Sequence, residues 1–163
     1  MEKLDILHSR ILDTDSLQRQ IARWRLLSKK IVFTNGCFDI LHTGHITLLA
    51  GAASFGDILI VGLNADDSVK RLKGPQRPLN KQEDRALLLA ALLYVDAVTV
   101  FPEDTPERLI REIKPDVLVK GGDYTIAQIV GADIVLDNGG RVEIVPFVQG
   151  YSTTGIINKR AES

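Results

Sequence analysis

Residues 30–45 read KIVFTNGCFDILHTGH. Ile31 to Phe33 is a β-branched and aromatic run that closes at Asn35-Gly36, the pattern of a strand covered on both faces. Just beyond it, His42 and His45, two of the chain's three histidines, flank Thr43-Gly44. With the strand ending near Phe38 and a helix starting at His42 or Thr43, both imidazoles fall on one face of the first turn. A helix start offers free N–H groups and partial positive charge, so phosphate is the guest this arrangement suits. Gly44 is expected to leave a gap between the rings through which phosphate approaches the backbone.

The same strand signal recurs at Asp57-ILIVGLN, Asp96-AVTVF, Asp116-VLVK and Arg141-VEIVPF. Helical patterns lie between these runs. One spans Gly44 to Ser54. Another opens at Asn80-KQE, with Asn80 as cap and Glu83 at capping-box spacing, and runs to Tyr94. Asp104-TPE opens a third, to Ile113, with Pro106 in its first turn, and a fourth spans Ile126 to Asp137. The alternation predicts an α/β fold: a single Rossmann-like, doubly wound, five-stranded parallel sheet with helices on both faces. Ligands are expected beyond the carboxyl ends of its strands, where strand order reverses. Residues 1–29 form an N-terminal helical arm, with Leu17, Ile21 and Trp24 at helical spacing after a cap at Asp15 or Ser16, and residues 30–163 form the domain proper.

A length of 163 residues suits one core. The 20 basic residues against 21 acidic ones give a formal charge of −1, so bulk charge requires neither nucleic acid nor an anionic membrane as partner. The longest apolar run, Ala86 to Leu93, is far short of the roughly 20 residues that span a bilayer, and the N-terminus lacks a secretory apolar centre. A cytoplasmic location is expected. The lone Cys37 excludes an internal disulfide.

Other readings compete at the histidine pair, one of them a structural pair of satisfied histidines. A metal site needs further ligands, with Asp39 available as one, and the spacing differs from HExxH. A Cys37 nucleophile needs a histidine within reach, whereas its place at a strand end points it toward the core. Asp39 is either a helix-start carboxylate or a ligand of a metal–phosphate complex. Lys70, Arg71, Lys73 and Arg77 form a solvated face or a flexible phosphate clamp, with Arg77 and Arg85 the weaker candidates. Ser152, Thr153 and Thr154 cap a last helix or bind phosphate there. In Lys120-GGDY, Gly121 and Gly122 allow close backbone approach, and Asp123 either meets sugar hydroxyls or closes a turn.

GCFDILHTGH resembles the HxGH signature of the nucleotidyltransferase α/β phosphodiesterase superfamily, and GYSTTGII (150–157) resembles its C-terminal motif. The likeness runs from Ile31 to Lys159 and is closest to the cytidylyltransferase-like branch. Within it, RLKGPQRPLN, EDTPERLI and KPDVLVKGGDY resemble enzymes that adenylylate D-glycero-β-D-manno-heptose 1-phosphate. Nothing ahead of residue 30 resembles a kinase, so the stand-alone form is expected. The resemblance implies direct attack of the sugar phosphate on the α-phosphorus of ATP, with Mg²⁺ carried mainly by the triphosphate and no metal site of the protein's own. It assigns catalysis to His42, His45, Lys70 and Lys73. It assigns the nucleotide to Asn35, Gly36, Phe38, Gly44, Ser152, Thr153 and Thr154, and the acceptor to Asp39, Lys120, Gly121, Gly122 and Asp123. It further implies a homodimer and no nucleic-acid or membrane partner. One departure is Phe147, where some relatives carry Arg. The rivals are a cytidylyl- or guanylyltransferase acting on another phosphate such as glycerol 3-phosphate, a Cys37-dependent hydrolase, and a nucleotide-binding module without catalysis.

Overall fold

A computed structural model describes residues 2–146. All five expected strands form: β1 (Ile31–Gly36), β2 (Ile58–Asn64), β3 (Ala97–Phe101), β4 (Val117–Gly121) and β5 (Arg141–Val145). They pair in parallel in the order β3-β2-β1-β4-β5, so the chain steps outward from β1 and then returns to its other side. The fold is Rossmann-like, and its order reverses between β1 and β4.

The register is set by aspartates that precede three of the strands. Asp57 Oδ2 accepts the Lys30 N–H at 2.8 Å, Asp96 Oδ2 that of Leu59 at 2.8 Å, and Asp116 Oδ2 that of Ile31 at 2.7 Å. Each aspartate also donates its own N–H to the carbonyl of the same residue, at 2.9, 3.0 and 2.9 Å. A carboxylate accepting a backbone N–H makes a strong bond, and here two bonds close a ring across neighbouring strands. A slip of one residue would break both and turn the buried faces outward.

The sheet separates two cores. On one side Leu17, Ile21 and Trp24 of α2 (Thr14–Leu26), Leu109, Ile110 and Ile113 of α6 (Glu107–Ile113), and Ile134 and Val135 of α7 (Ala132–Asp137) pack on Phe33, Ile60 and Leu118. On the other, Leu49 and Ala52 of α3 (Thr43–Ala53) and Ala86, Leu89 and Ala90 of α5 (Gln82–Ala90) pack on Val32, Val61 and Val119. A short α1 (Lys3–His8) leads into Ile11, which bridges to Val98 along the outer side of β3, and α4 (Asp66–Lys73) follows β2. No helix among the described residues is long and apolar enough to cross a membrane.

Four local expectations are corrected. The Ile126 to Asp137 segment is two pieces, a 3-10 turn at Ile126–Gln128 and then α7, because Gly131 sits at φ +83° with Ile110 Cδ1 only 2.5 Å from where a Cβ would stand. Asn80 does not cap α5; its side-chain amide donates to the Asp39 carbonyl at 2.8 Å, and the helix runs from Gln82 to Ala90. Asp13, rather than Asp15 or Ser16, caps α2, accepting the Ser16 N–H at 2.7 Å. Asp104 pairs with Arg71 at 2.7 Å and leaves the cap position of α6 to Pro106.

Replacing Asp116 by Ala leaves the Ile31 N–H unpaired at the buried end of β1, and we expect a loss of about 2 kcal/mol in urea unfolding. Asp116→Asn, which keeps an acceptor, should lose less than half as much.

Candidate active site

The backbone after β1 turns sharply at Phe38, a non-glycine residue with φ +43°. Such a conformation is costly and persists only where its surroundings hold it. Here the ring is buried, and a Cβ on Gly36 would stand 3.0 Å from Phe38 Cε2. Gly36 thus makes room for Phe38. The Phe38 ring in turn meets His45 edge-on, centroids 5.1 Å apart, and His45 stacks on His42 at 3.8 Å with 24° between planes. The expected gap at Gly44 is therefore not present, because the rings touch each other. His42 occupies the cap position of α3 and His45 its first turn, as the spacing predicted.

Burial holds the His42 imidazole below its ordinary value. Burial holds His45 down to about 4; His42 and Lys73 add repulsion, and the Ile40 carbonyl offsets part of it. Both rings are neutral at pH 7. Neither Nδ1 has a hydrogen-bond partner among the described residues. The pair thus presents two neutral imidazoles at a helix start, each with an Nδ1 free to accept or share a proton when an anion arrives.

The loop is fastened from below by Arg85, whose guanidinium is wholly buried. Its Nη1 donates to the carbonyls of Cys37 at 2.6 Å and Asn64 at 2.9 Å, its Nε to Asn80 at 3.0 Å, and its Nη2 to Asp66 Oδ1 at 2.7 Å. One side chain thereby ties the ends of β1 and β2 to the starts of α4 and α5. Asp39 makes a second tie. It is 2% exposed, its Oδ1 accepts the N–H groups of Leu79 (2.8 Å) and Asn80 (3.1 Å), and Arg77 Nε lies 2.6 Å from its Oδ2. Asp39, expected at the substrate or a metal, is instead committed to the loop between α4 and α5. Arg77 serves that latch, and the basic segment is anchored at its far end rather than free.

A cavity of about 470 Å³ opens at the carboxyl edge, with Asn35, Gly36, Cys37, Lys73 and Lys120 in its wall. Lys120 Nζ donates to Asn35 Oδ1 at 3.3 Å. Cys37 faces this cavity rather than the core, and burial raises its thiol above the ordinary value, which disfavours the thiolate a nucleophile requires. Lys70 points elsewhere, to Asp67 at 3.2 Å on the exposed side of α4. Gly121 packs against Leu48, Gly122 takes φ +127°, and Asp123 is exposed outside the cavity wall. Ser152, Thr153, Thr154 and Phe147 lie outside the described residues. No three His, Cys, Asp or Glu among the described residues converge as a cage for a metal ion.

Sequence reasoning undervalued Arg85. The available signal was its place beside Ala86, Leu89 and Ala90 on the buried stripe of α5, where a charge has to find internal partners.

The family model for cytidylyltransferase-like proteins matches residues 33–158. The bifunctional protein HldE of Mesorhizobium japonicum is 58% identical over 149 residues, 91% of this chain and 30% of that protein. Its namesake in Wolinella succinogenes is 55% identical over 150 residues, 92% of this chain and 31% of its own. The chain thus spans about a third of the length of these curated relatives. Among solved structures, a lipopolysaccharide core biosynthesis protein from Thermoplasma volcanium superposes with TM-score 0.59 at 30% identity, covering 76% of this chain and 99% of the other. Pantothenate synthetase from Thermus thermophilus, at 17% identity and TM-score 0.66, shares the fold.

Two outcomes follow from the site's construction. Free histidine titrates near 6.5, so between that value and the folded value of about 4 the unfolded chain binds the additional proton, and stability falls as pH falls. The melting temperature should decline from pH 6.5 to pH 5, and His45→Gln should flatten that decline. Arg85→Met leaves three carbonyls and Asp66 without their donor, and urea unfolding should show a loss of at least about 3 kcal/mol.

Proposed function

The chain belongs to the cytidylyltransferase-like family, and from that premise we propose that it transfers AMP from ATP to D-glycero-β-D-manno-heptose 1-phosphate, forming ADP-heptose and releasing pyrophosphate. The observation that carries this reading is the stacked His42–His45 pair at the start of α3, beside the carboxyl end of β1. An oxygen of the sugar phosphate forms a bond to the α-phosphorus of ATP. The bond from that phosphorus to the α–β bridging oxygen breaks, and its electron pair leaves with pyrophosphate.

The protein supplies no nucleophile in this step; it has to bring two anions together and stabilise the charge gathering on the α-phosphate. A polyphosphate laid against two neutral imidazoles raises their proton affinity, so the pair becomes a better donor as negative charge builds. Lys73, in the cavity wall beside Cys37, adds a fixed positive charge, while Lys70 is the more peripheral cation. Asn35, Gly36, Phe38 and Gly44 frame the nucleotide side of the loop, and Ser152, Thr153 and Thr154 complete it in this proposal. Mg²⁺ belongs to the substrate here, arriving on the triphosphate. The proposed location is the cytoplasm, where ATP is at hand. The proposed assembly is a homodimer, for which exposed Leu26, Leu27 and Leu93 supply apolar surface.

The test is a matrix of ATP, CTP and GTP against heptose 1-phosphate and glycerol 3-phosphate, followed by pyrophosphate release. ATP with the heptose should turn over fastest; a preference for CTP with glycerol 3-phosphate would transfer the assignment to the sister activity. His42→Ala and His45→Ala should each lower kcat about 10²- to 10³-fold with the fold retained, and Cys37→Ser should leave turnover nearly unchanged.

A further inference from the structure

The last turn of α4 is not placed by packing. The buried side chains of that helix, Ser68 and Val69, lie in its first half, and Lys70, Arg71, Leu72 and Lys73 are all exposed. Arg71 reaches Asp104 and the Pro102 carbonyl, each at 2.7 Å, but its side chain is half exposed, and water weakens such ties. The firmer restraint comes from beyond the helix end. Gly74, at φ +98°, reverses the chain, and the Arg77 N–H donates to the Gly74 carbonyl at 3.1 Å, which closes residues 74–77 into a turn. Arg77 then lies against Asp39 in an ion pair whose side chains are 16% and 1% exposed. A carboxylate buried to that degree needs its counter-charge, so the contact is hard to give up. The other oxygen of Asp39 accepts the Leu79 and Asn80 N–H groups, and the Asp39 carbonyl accepts the Asn80 amide. Both carboxylate oxygens therefore face the protein's own groups.

Asp39 stands three residues before His42, in the loop after β1. One side chain thus joins the histidine loop to the turn that follows Lys73, with only residues 74–76 between Lys73 and the pinned Arg77. Lys73 shares the cavity wall with Cys37, and its charge is felt at His45. Stabilising charge in a transition state requires donors fixed beforehand, and an error of about 1 Å in such a group costs up to about 10²-fold in rate. An ammonium on a flexible stem at the exposed end of a short helix has no such fixity of its own.

Resting on the function proposed above, we propose that Asp39 is a positioning residue: through Arg77 and the turn at 74–77 it sets the distance between Lys73 and the histidine pair, and it does not touch the acceptor. Asp39→Asn and Arg77→Gln test this in the full chain, each alone and combined with Lys73→Met. Asparagine keeps an oxygen for the Leu79 and Asn80 N–H groups and removes the charge that holds Arg77. Either single variant should lower kcat about tenfold to a hundredfold and change KM for heptose 1-phosphate less than about twofold. In the Lys73→Met background the same substitution should cost less than about threefold further. A melting temperature close to that of the wild type shows that the fold is kept. A second readout needs no substrate. Lys73 helps keep His45 uncharged, so Lys73→Met should raise the His45 pKa followed by NMR, and Asp39→Asn should give at least half of that rise. Loss of a neighbouring negative charge acts in the opposite sense, so the rise reports displacement of Lys73, and it should vanish once Lys73 is replaced. An unchanged His45 titration, a kcat loss as large without Lys73 as with it, or a raised sugar-phosphate KM in Asp39→Asn would overturn the assignment and leave the transferase reading standing. The Lys73-dependent shift of His45, with no pyrophosphate released by the wild type from any substrate pair, would support the positioning while removing the transferase reading.

Discussion

The buried guanidinium of Arg85 is the constraint on which the rest of the site depends. At the carboxyl edge of a parallel sheet the last carbonyls of adjacent strands have no further ladder to join, and burying them unpaired is costly. Arg85 answers the carbonyls of Cys37 and Asn64 with one nitrogen, and it places its remaining charge against Asp66. Because those carbonyls belong to the loops that carry the histidines and the basic helix, a single planar group sets the spacing between the two. Asp39 does the reciprocal task with negative charge, holding Arg77 and the N–H groups of Leu79 and Asn80. The two latches share Asn80, so the stretch ahead of α5 is held from both sides.

From this frame the electrostatics of the site follow. Burial discourages either imidazole from charging, and at His45 repulsion from His42 and Lys73 adds to that. Positive charge is supplied by lysines at the cavity wall, one exposed at the end of α4 and one half-buried at the end of β4. In the proposed reaction the pair and the lysines therefore differ in kind: one responds to an arriving anion, while the other is present beforehand. Lys73 lies near enough to His45 to disfavour its charged form.

Much of this was legible in the chain. Each of β2, β3 and β4 follows an aspartate, and each short Ile/Val run between punctuating residues became a strand, since such runs have no stable alternative once both faces are covered. The start of α3 was legible too, because Thr43-Gly44 follows an extended loop and His42 takes the cap position. What sequence could not give were contacts over long separations. Asp39 looked like a ligand because its partners lie some forty residues onward, and Asn80 looked like a cap because local spacing says nothing of a carbonyl on another loop. The histidine rings were expected to be parted by Gly44, yet they stack on each other at 3.8 Å. The serine–threonine motif belongs to the undescribed end of the chain.

One consequence concerns solubility rather than chemistry. Arg10 to Leu12 run beside β3, with the Leu12 N–H given to the Val98 carbonyl and the Val98 N–H to Arg10, both at 2.8 Å, while the Arg10 guanidinium grips the carbonyls of Ala90 and Val95. These few residues hem a margin that would otherwise recruit a stranger's backbone. Shorn of that hem, the molecule would keep the loop that carries the histidines and yet become sticky along its flank, prone to stack on its own copies.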